Sequence, residues 1–188
     1  MARPALSIAQ AAKAIRQGEL IAYPTEAVWG LGCDPFNAAA VASLLALKQR
    51  PVEKGLILVV ANLQQLHGIL AEESLTAEKL QQLQARSVQP VTWLVPIISG
   101  SLPGWITGKH SKVAVRISEH PVVKALCEAS GLPLVSTSAN PAGCQPAREQ
   151  FQVRRYFADQ LAICRGRIGS ALQPSRIIDL QTGQTLRE

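Results

Sequence analysis

Short apolar runs alternate with stretches of helical pattern along almost the whole length of this 188-residue chain. Short apolar runs bounded by turn signals are typical of buried strands. The predicted strands cover residues 20–23, 56–61, 91–98, 113–118, 134–136, 162–164, 177–180 and 185–187, and the predicted helices cover 8–17, 38–48, 62–70, 76–85, 121–130 and 148–160. No repeat or linker-like tract divides this pattern. It therefore predicts one α/β domain over residues 1–188 with a largely buried mixed sheet.

Several helix ends carry specific signals. Ser7 followed by Gln10 reads as a capping box, and Asn37 can cap the second helix. Pro121 suits a first helical turn, and Gly131 can close the same helix. Residues 25–35 contain two glycines and are predicted to form a loop.

Composition and charge exclude several classes of protein. Apolar residues make up 47% of the chain and charged residues 17%, which excludes a disordered chain. The longest apolar run, residues 56–61, is far shorter than the roughly 20 residues of a transmembrane helix. The first twenty residues lack the apolar stretch of a signal peptide, so we expect a cytoplasmic protein with no membrane partner.

The net charge is +6, and it is unevenly distributed. Residues 1–94 carry 8 basic and 7 acidic side chains, whereas residues 95–188 carry 11 and 6. An excess of positive charge favours polyanions such as nucleotide phosphates, pyrophosphate or RNA, although a solvated basic surface explains it equally well.

Familiar metal and nucleotide motifs fail in this chain. The four cysteines have no CxxC spacing and the three histidines are scattered, so we predict no protein-held metal. Gly104, Gly108 and Lys109 resemble a phosphate-binding P-loop, but the glycine spacing is too short and His110 replaces the Ser or Thr that binds magnesium. Gly30 and Gly32 begin a dinucleotide-type pattern that Pro35 interrupts.

Three polar clusters follow apolar strands, where open α/β sheets place their ligands. They cover residues 23–32, residues 48–55 and residues 136–140, and related fragments occupy 113–116 and 174–179. Taken singly, each cluster could be a turn, a solvated helix end or a helix cap.

Together, the segments YPTEAVWGLG, LKQRPVEKGLI, VAVR, LVSTSAN and PSRI resemble, in this order, the YrdC family of threonylcarbamoyl-AMP synthases. The resemblance covers almost the whole chain and is closest to the short, single-domain bacterial form. It implies a twisted open sheet of parallel and antiparallel strands, flanked by helices, with a basic central cleft. It also implies a nucleotidyltransferase that makes threonylcarbamoyl-AMP and pyrophosphate from ATP, L-threonine and bicarbonate.

The resemblance also assigns roles to residues. The KxR motif falls on Lys48 and Arg50, which would be catalytic and bind ATP near the surface of the cleft. Further expected contacts are Ser138, Asn140 and Arg187 for ATP, and Thr25, Arg116, Ser136 and Ser175 for threonine. Lys54 and Thr92 are weaker candidates, and Glu26 could attract the threonine ammonium.

Two positions depart from the family pattern, and the resemblance also implies a metal ion and partner proteins. Ala142 stands where the family usually has serine, and Gln89 replaces a glycine. Mg²⁺ is expected to arrive with ATP. The product would feed the modification of adenosine beside the tRNA anticodon, through partner proteins of the transfer machinery.

Two alternatives compete with the synthase. The same basic concavity could hold double-stranded RNA or tRNA in a binding module, although aromatic residues for base stacking make up only 4% of the chain. A paralogue of the same fold could act on another carbamoyl-type substrate. Convergence of Lys48 and Arg50 with Ser138 and Asn140 on one pocket would favour the synthase over the RNA-binding module.

Overall fold

The computed structural model describes residues 4–87 and 89–187. One nine-stranded mixed sheet organises the chain, in the order β7-β1-β2-β6-β3-β5-β4-β8-β9. The strands are β1 (Ile21–Pro24), β2 (Trp29–Gly32), β3 (Ile57–Val60), β4 (Val91–Pro96), β5 (Lys112–Ile117), β6 (Leu134–Ser138), β7 (Ala162–Ile163), β8 (Arg176–Asp179) and β9 (Thr185–Arg187). The pairs β1/β7, β3/β5 and β4/β8 are parallel, and the other neighbours are antiparallel. The predicted α/β fold with a mixed sheet is confirmed.

Six α-helices flank the sheet in the described part of the chain: α1 (Ile8–Arg16), α2 (Ala38–Lys48), α3 (Ala77–Gln84), α4 (Gly104–Thr107), α5 (Pro121–Ser130) and α6 (Gln150–Phe157). The predicted caps are present, because Ser7 and Gln10 form a reciprocal capping box and Asn37 accepts from the backbone N–H of Ala40. Gly131 ends α5 in the left-handed conformation.

Two hydrophobic clusters form the core, one on each face of the sheet. Along β3, Leu58 and Val60 belong to one cluster and Val59 to the other, and successive strand residues point to opposite faces. Helices α1 and α5 cover the face of Val59, while α2 and α6 contribute buried residues to the opposite cluster. Further along the face of Val59, Ile57 and Ser136 line a cavity.

Some predicted elements are wrong or differ in extent. The predicted loop 25–35 contains β2, because its glycines permit close strand packing rather than a turn. A Cβ on Gly32 would lie 2.2 Å from the carbonyl oxygen of Val135 and 2.8 Å from the Tyr23 ring. The predicted helix 62–70 is a short 3₁₀ turn over Leu63–Leu66. The helix predicted at 148–160 is shorter, because Glu149 caps its start and Ala158 ends it at positive φ.

The predicted domain range 1–188 includes residues 1–3, 88 and 188, which lie outside the described residues. No helix of the described part is long and apolar enough to cross a membrane.

Candidate active site

A cavity of about 520 Å³ lies against the sheet, and residues of β5 and β6 are among those that line it. The β1–β2 loop, residues 50–57, β5, β6 and the segment from Pro174 to Arg187 contribute to its wall. Seven of the nine site residues expected from the sequence line it: Thr25, Arg50, Arg116, Ser136, Ser138, Ser175 and Arg187. The cavity therefore brings together motifs that are up to 162 positions apart in the sequence.

Lys48 and Asn140, the other two expected residues, hold the wall of the cavity instead of lining it. The Lys48 ammonium donates to the carbonyl oxygens of Ser138 and Asn140, both at 2.6 Å, and to Asn140 Oδ1 at 3.2 Å. The Asn140 amide donates to the carbonyl oxygen of Cys144 at 2.8 Å. Lys48 is only 8% exposed, so its expected place near the surface of the cleft is wrong. It anchors the end of α2 to the loop after β6.

Burial and the neighbouring charge of Arg50 lower the pKa of Lys48 to about 8. Arg50 itself lies on the cavity wall, where its guanidinium donates to the carbonyl oxygen of Gly55, with the shorter bond at 2.8 Å. Burial lowers the pKa of Arg50 as well. A guanidinium titrates so far above neutrality that it stays charged, so Arg50 supplies a fixed positive charge.

Arg116 and Glu26 form a second charged group in the wall. Arg116 Nη2 lies 3.6 Å from Glu26 Oε2, and the Ser118 hydroxyl donates to Glu26 Oε1 at 2.5 Å. Burial raises the pKa of Glu26, but the charge of Arg116 and the Ser118 hydrogen bond outweigh it, and the net pKa is lowered. Glu26 is therefore a carboxylate near neutral pH, and it balances the charge of Arg116.

Hydroxyl-bearing residues also line the cavity, among them Thr25 and Ser175. The Thr25 hydroxyl donates to the carbonyl oxygen of Val28 at 2.8 Å within the β1–β2 turn. The Ser175 hydroxyl lies 2.7 Å from Thr92 Oγ1, and both residues are buried. Arg187 donates to the Ser175 carbonyl oxygen at 2.6 Å, which ties β9 to the site. Thr92 thus holds the Ser175 hydroxyl through a hydrogen bond without itself being among the described lining residues.

Burial, and then the charges of Arg116 and Arg50, lower the pKa of Arg187. These three guanidinium groups belong to separate segments of the chain and interact across one cavity. Their mutual repulsion is unfavourable unless an anion offsets it.

Lys112 and His110, which are not among the site residues expected from the sequence, also line the cavity. Lys112 lies on the same strand as Arg116 at an even spacing, so strand alternation could have placed it on this face. Its ammonium pairs with Asp179 at 2.6 Å. His110 belongs to the glycine-containing segment 104–110, which fails as a P-loop yet reaches the same cavity.

Comparisons with known proteins identify the family of this chain. The Sua5/YciO/YrdC family model, described as "Telomere recombination", matches residues 13–188. The threonylcarbamoyl-AMP synthase of Marinobacter nauticus is 53% identical over 97% of this chain and 95% of its own length. The threonylcarbamoyl-AMP synthase of Acinetobacter baylyi is 49% identical over 97% of both chains.

Solved structures share the fold. The structure of P. abyssi Sua5 complexed with L-threonine is 31% identical, with a TM-score of 0.80 over 95% of this chain and 52% of the Sua5 chain. The E. coli YciO structure, at 23% identity and a TM-score of 0.79, covers 96% of this chain and 88% of its own length, and shows the fold alone. The predicted family and its mixed α/β sheet are therefore confirmed, and this chain belongs to the Sua5/YciO/YrdC family.

Proposed function

We propose that this protein is a threonylcarbamoyl-AMP synthase, which makes threonylcarbamoyl-AMP and pyrophosphate from L-threonine, bicarbonate and ATP. The observation that carries the proposal is one cavity in which hydroxyl groups and Arg116 lie beside Arg50 and Arg187. Relatives about 50% identical over nearly the whole chain have this name, and the related P. abyssi Sua5 binds L-threonine.

The threonine site of the proposal uses Thr25, Arg116, Ser136 and Ser175. Arg116 makes no hydrogen bond within the described residues, although its Nη2 lies 3.6 Å from Glu26 Oε2. Its guanidinium could therefore donate to a substrate carboxylate beside Glu26. Arg116 and the three hydroxyl-bearing residues are all buried, and they would fix one orientation of a small amino acid. Polar groups held in place before binding discriminate well between similar ligands.

The nucleotide site of the proposal uses Arg50, Ser138 and Arg187 in the wall, and Lys48 holds the loop after β6 through Asn140. Five Lys or Arg side chains and one carboxylate, Glu26, occur among the described lining residues. This lining supports the predicted binding of a polyanion such as ATP.

The proposed reaction needs positioning and charge compensation rather than a protein nucleophile. The threonine amine first adds to the carbon of bicarbonate, which loses water, or of CO2, which releases a proton, and this gives a carbamate. A carbamate oxygen then bonds to the α-phosphorus of ATP, and the bond from that phosphorus to the bridging oxygen breaks. Pyrophosphate leaves with the electron pair. Because the adenylyl group is transferred, the enzyme would be a nucleotidyltransferase. Arg50 would neutralise charge on the reacting oxygens.

Mg²⁺ is part of the proposal as the partner of the ATP phosphates, whose charge it would neutralise. No cluster of three or more His, Cys, Asp or Glu in the described part of the chain could hold a metal. A metal held mainly by substrate phosphates fits this wall, because Mg²⁺ commonly keeps its waters and few protein ligands.

The test is pyrophosphate release by the purified protein with ATP, Mg²⁺, L-threonine and bicarbonate, with each substrate omitted in turn. The proposal expects release only when threonine and bicarbonate are both present. Release that persists with other amino acids or without bicarbonate would contradict it and favour a different carbamoyl-type substrate. Absence of release together with tight, salt-sensitive RNA binding would favour the RNA-binding module.

A further inference from the structure

The segment 104–110, which fails as a P-loop, packs against residues 50–55. The backbone N–H of Leu56 donates to the carbonyl oxygen of Ile106 at 2.8 Å, and that of Lys109 donates to the Glu53 carbonyl oxygen at 3.3 Å. A Cβ on Gly108, whose φ is +61°, would lie 2.4 Å from the Glu53 carbonyl oxygen. This close approach requires glycine. The two loops therefore form one rigid edge of the cavity.

Three cationic or titratable side chains of this edge line the cavity: Arg50, Lys54 and His110. No carboxylate of the described residues lies within 4.0 Å of any of them. Lys112 and Arg116, elsewhere in the same cavity, each face a carboxylate. No protein carboxylate therefore pairs directly with these three side chains, and a ligand of high negative charge could pair with them.

We propose that Lys54 and His110, together with Arg50, bind the β- and γ-phosphates of ATP and hold the pyrophosphate as it leaves. This assignment rests on the proposed function. When the bond between the α-phosphorus and the bridging oxygen breaks, pyrophosphate takes the electron pair and gains negative charge. Groups that meet this developing charge stabilise the transition state more than the ground state.

The exposure of these two residues fits a leaving-group site. Lys54 and His110 are exposed, whereas Arg116, Ser136 and Ser175 are buried. The threonine end would thus be enclosed and the pyrophosphate end open to solvent, so the product could depart without displacing threonylcarbamoyl-AMP. Flexible lysine and imidazole side chains suit a ligand that must be released after each turnover.

The test compares Lys54→Gln and His110→Gln with Lys109→Gln. Lys109 is an exposed neighbour of His110 that is not among the described lining residues, so its substitution is a matched control for charge. The probes are magnesium pyrophosphate, used as product inhibitor and as substrate of the reverse reaction, and AMP, which lacks the β- and γ-phosphates. Melting temperatures of all three variants confirm that the exposed substitutions leave the fold intact.

We expect the pyrophosphate inhibition constant to rise on the order of tenfold in Lys54→Gln, since a charge-assisted phosphate contact is lost. The rise should be smaller in His110→Gln, and AMP inhibition should match the wild type in both. Equal pyrophosphate inhibition in all three variants would overturn the assignment while leaving the synthase activity in place. Equal weakening of inhibition by AMP and of inhibition by pyrophosphate in Lys54→Gln or His110→Gln would also overturn the assignment. A wild-type protein that releases no pyrophosphate would instead overturn the proposed function.

Discussion

Lys48 shows how one buried side chain can determine the shape of a site without lining it. Its ammonium holds two backbone carbonyl groups of the loop after β6. We expect Lys48→Met to lower the free energy of unfolding by about 1–3 kcal/mol, because both carbonyls lose a charged donor. Urea unfolding measures this loss. Lys109→Met is the control, and equal stability of the two variants would contradict the anchoring role.

Arg50 should behave in the opposite way. Its guanidinium bonds one protein carbonyl, that of Gly55, and otherwise lines the cavity. We expect Arg50→Met to reduce threonine-dependent pyrophosphate release by about 10²-fold or more, because charge compensation in the transition state is lost. The free energy of unfolding should change little in this variant. Near-normal turnover in this variant would show that the nucleotide site lies elsewhere.

The lowered pKa of Glu26 predicts that the wild type and Glu26→Gln differ in stability at acid pH. Its pKa is lower in the folded protein than in the unfolded chain, so the unfolded chain binds more protons as the pH falls. The stability it contributes is present above the unfolded pKa, near pH 4–5, and is lost as the pH falls through the folded pKa. We therefore expect the free energy of unfolding to fall less steeply below about pH 5 in Glu26→Gln than in the wild type. Urea unfolding from pH 6 to pH 3 compares the two slopes, and parallel slopes would contradict the role of the Arg116 charge.

Residue roles are only partly predictable from the sequence. The spacing of Thr25, Arg116 and Ser175 carries the family resemblance, and all three lie in one cavity. The burial of Lys48 was not predictable, because its partners are 90 and 92 positions away and belong to a loop whose path depends on tertiary packing.

At the level of elements, the glycines of β2 test the packing of the sheet. A Cβ on Gly32 would overlap the carbonyl oxygen of Val135. We expect Gly32→Ala to lower the free energy of unfolding by about 2–4 kcal/mol, because β2 and the adjoining chain must separate. Gly104→Ala is the control, since nothing lies within 4 Å of its Cβ position. Chemical denaturation distinguishes them, and equal stability would contradict the close approach.

Helices whose ends are marked by capping residues a few positions away were predictable from the sequence, whereas strand β2 was not. The capping residues Ser7 and Asn37 and the helix-closing Gly131 act within a few positions, so the sequence indicates α1, α2 and α5 with accurate starts or ends. Gly30 and Gly32 read locally as turn residues. Their role in a strand depends on Tyr23 and Val135, which belong to neighbouring strands.

At the scale of the whole molecule, strand order creates the site. Strand β6 lies between β2 and β3, so Ser138 is opposite Gly30 while Ser136 is opposite Ile57. This insertion joins the β1–β2 loop to the loop that carries Arg50. The sequence predicts β3 and β6 but neither β2 nor this order, because pairing between distant strands leaves no local signal. The predicted basic cleft likewise depends on this order and stays a prediction.

The cysteines offer a test of whether both faces of the sheet unfold together. Cys33 belongs to the core cluster of one face and Cys127 to that of the other, and burial raises the pKa of both thiols to about 12. Burial also raises the pKa of Cys164 to about 11, whereas Cys144 is exposed. Because the thiolate is the reactive species, a thiol reagent at pH 8 should modify Cys144 at once and the other three only after unfolding.

A single cooperative domain makes a sharper prediction for these thiols. Cys33 and Cys127 should react at the same rate across a urea series, because one global opening exposes both faces. Mass spectrometry of peptides from quenched samples measures each rate. Cys144 is the control for intrinsic reagent reactivity. Faster modification of Cys127 than of Cys33 would show that the α1–α5 layer opens by itself, and the sheet would then not unfold as one unit.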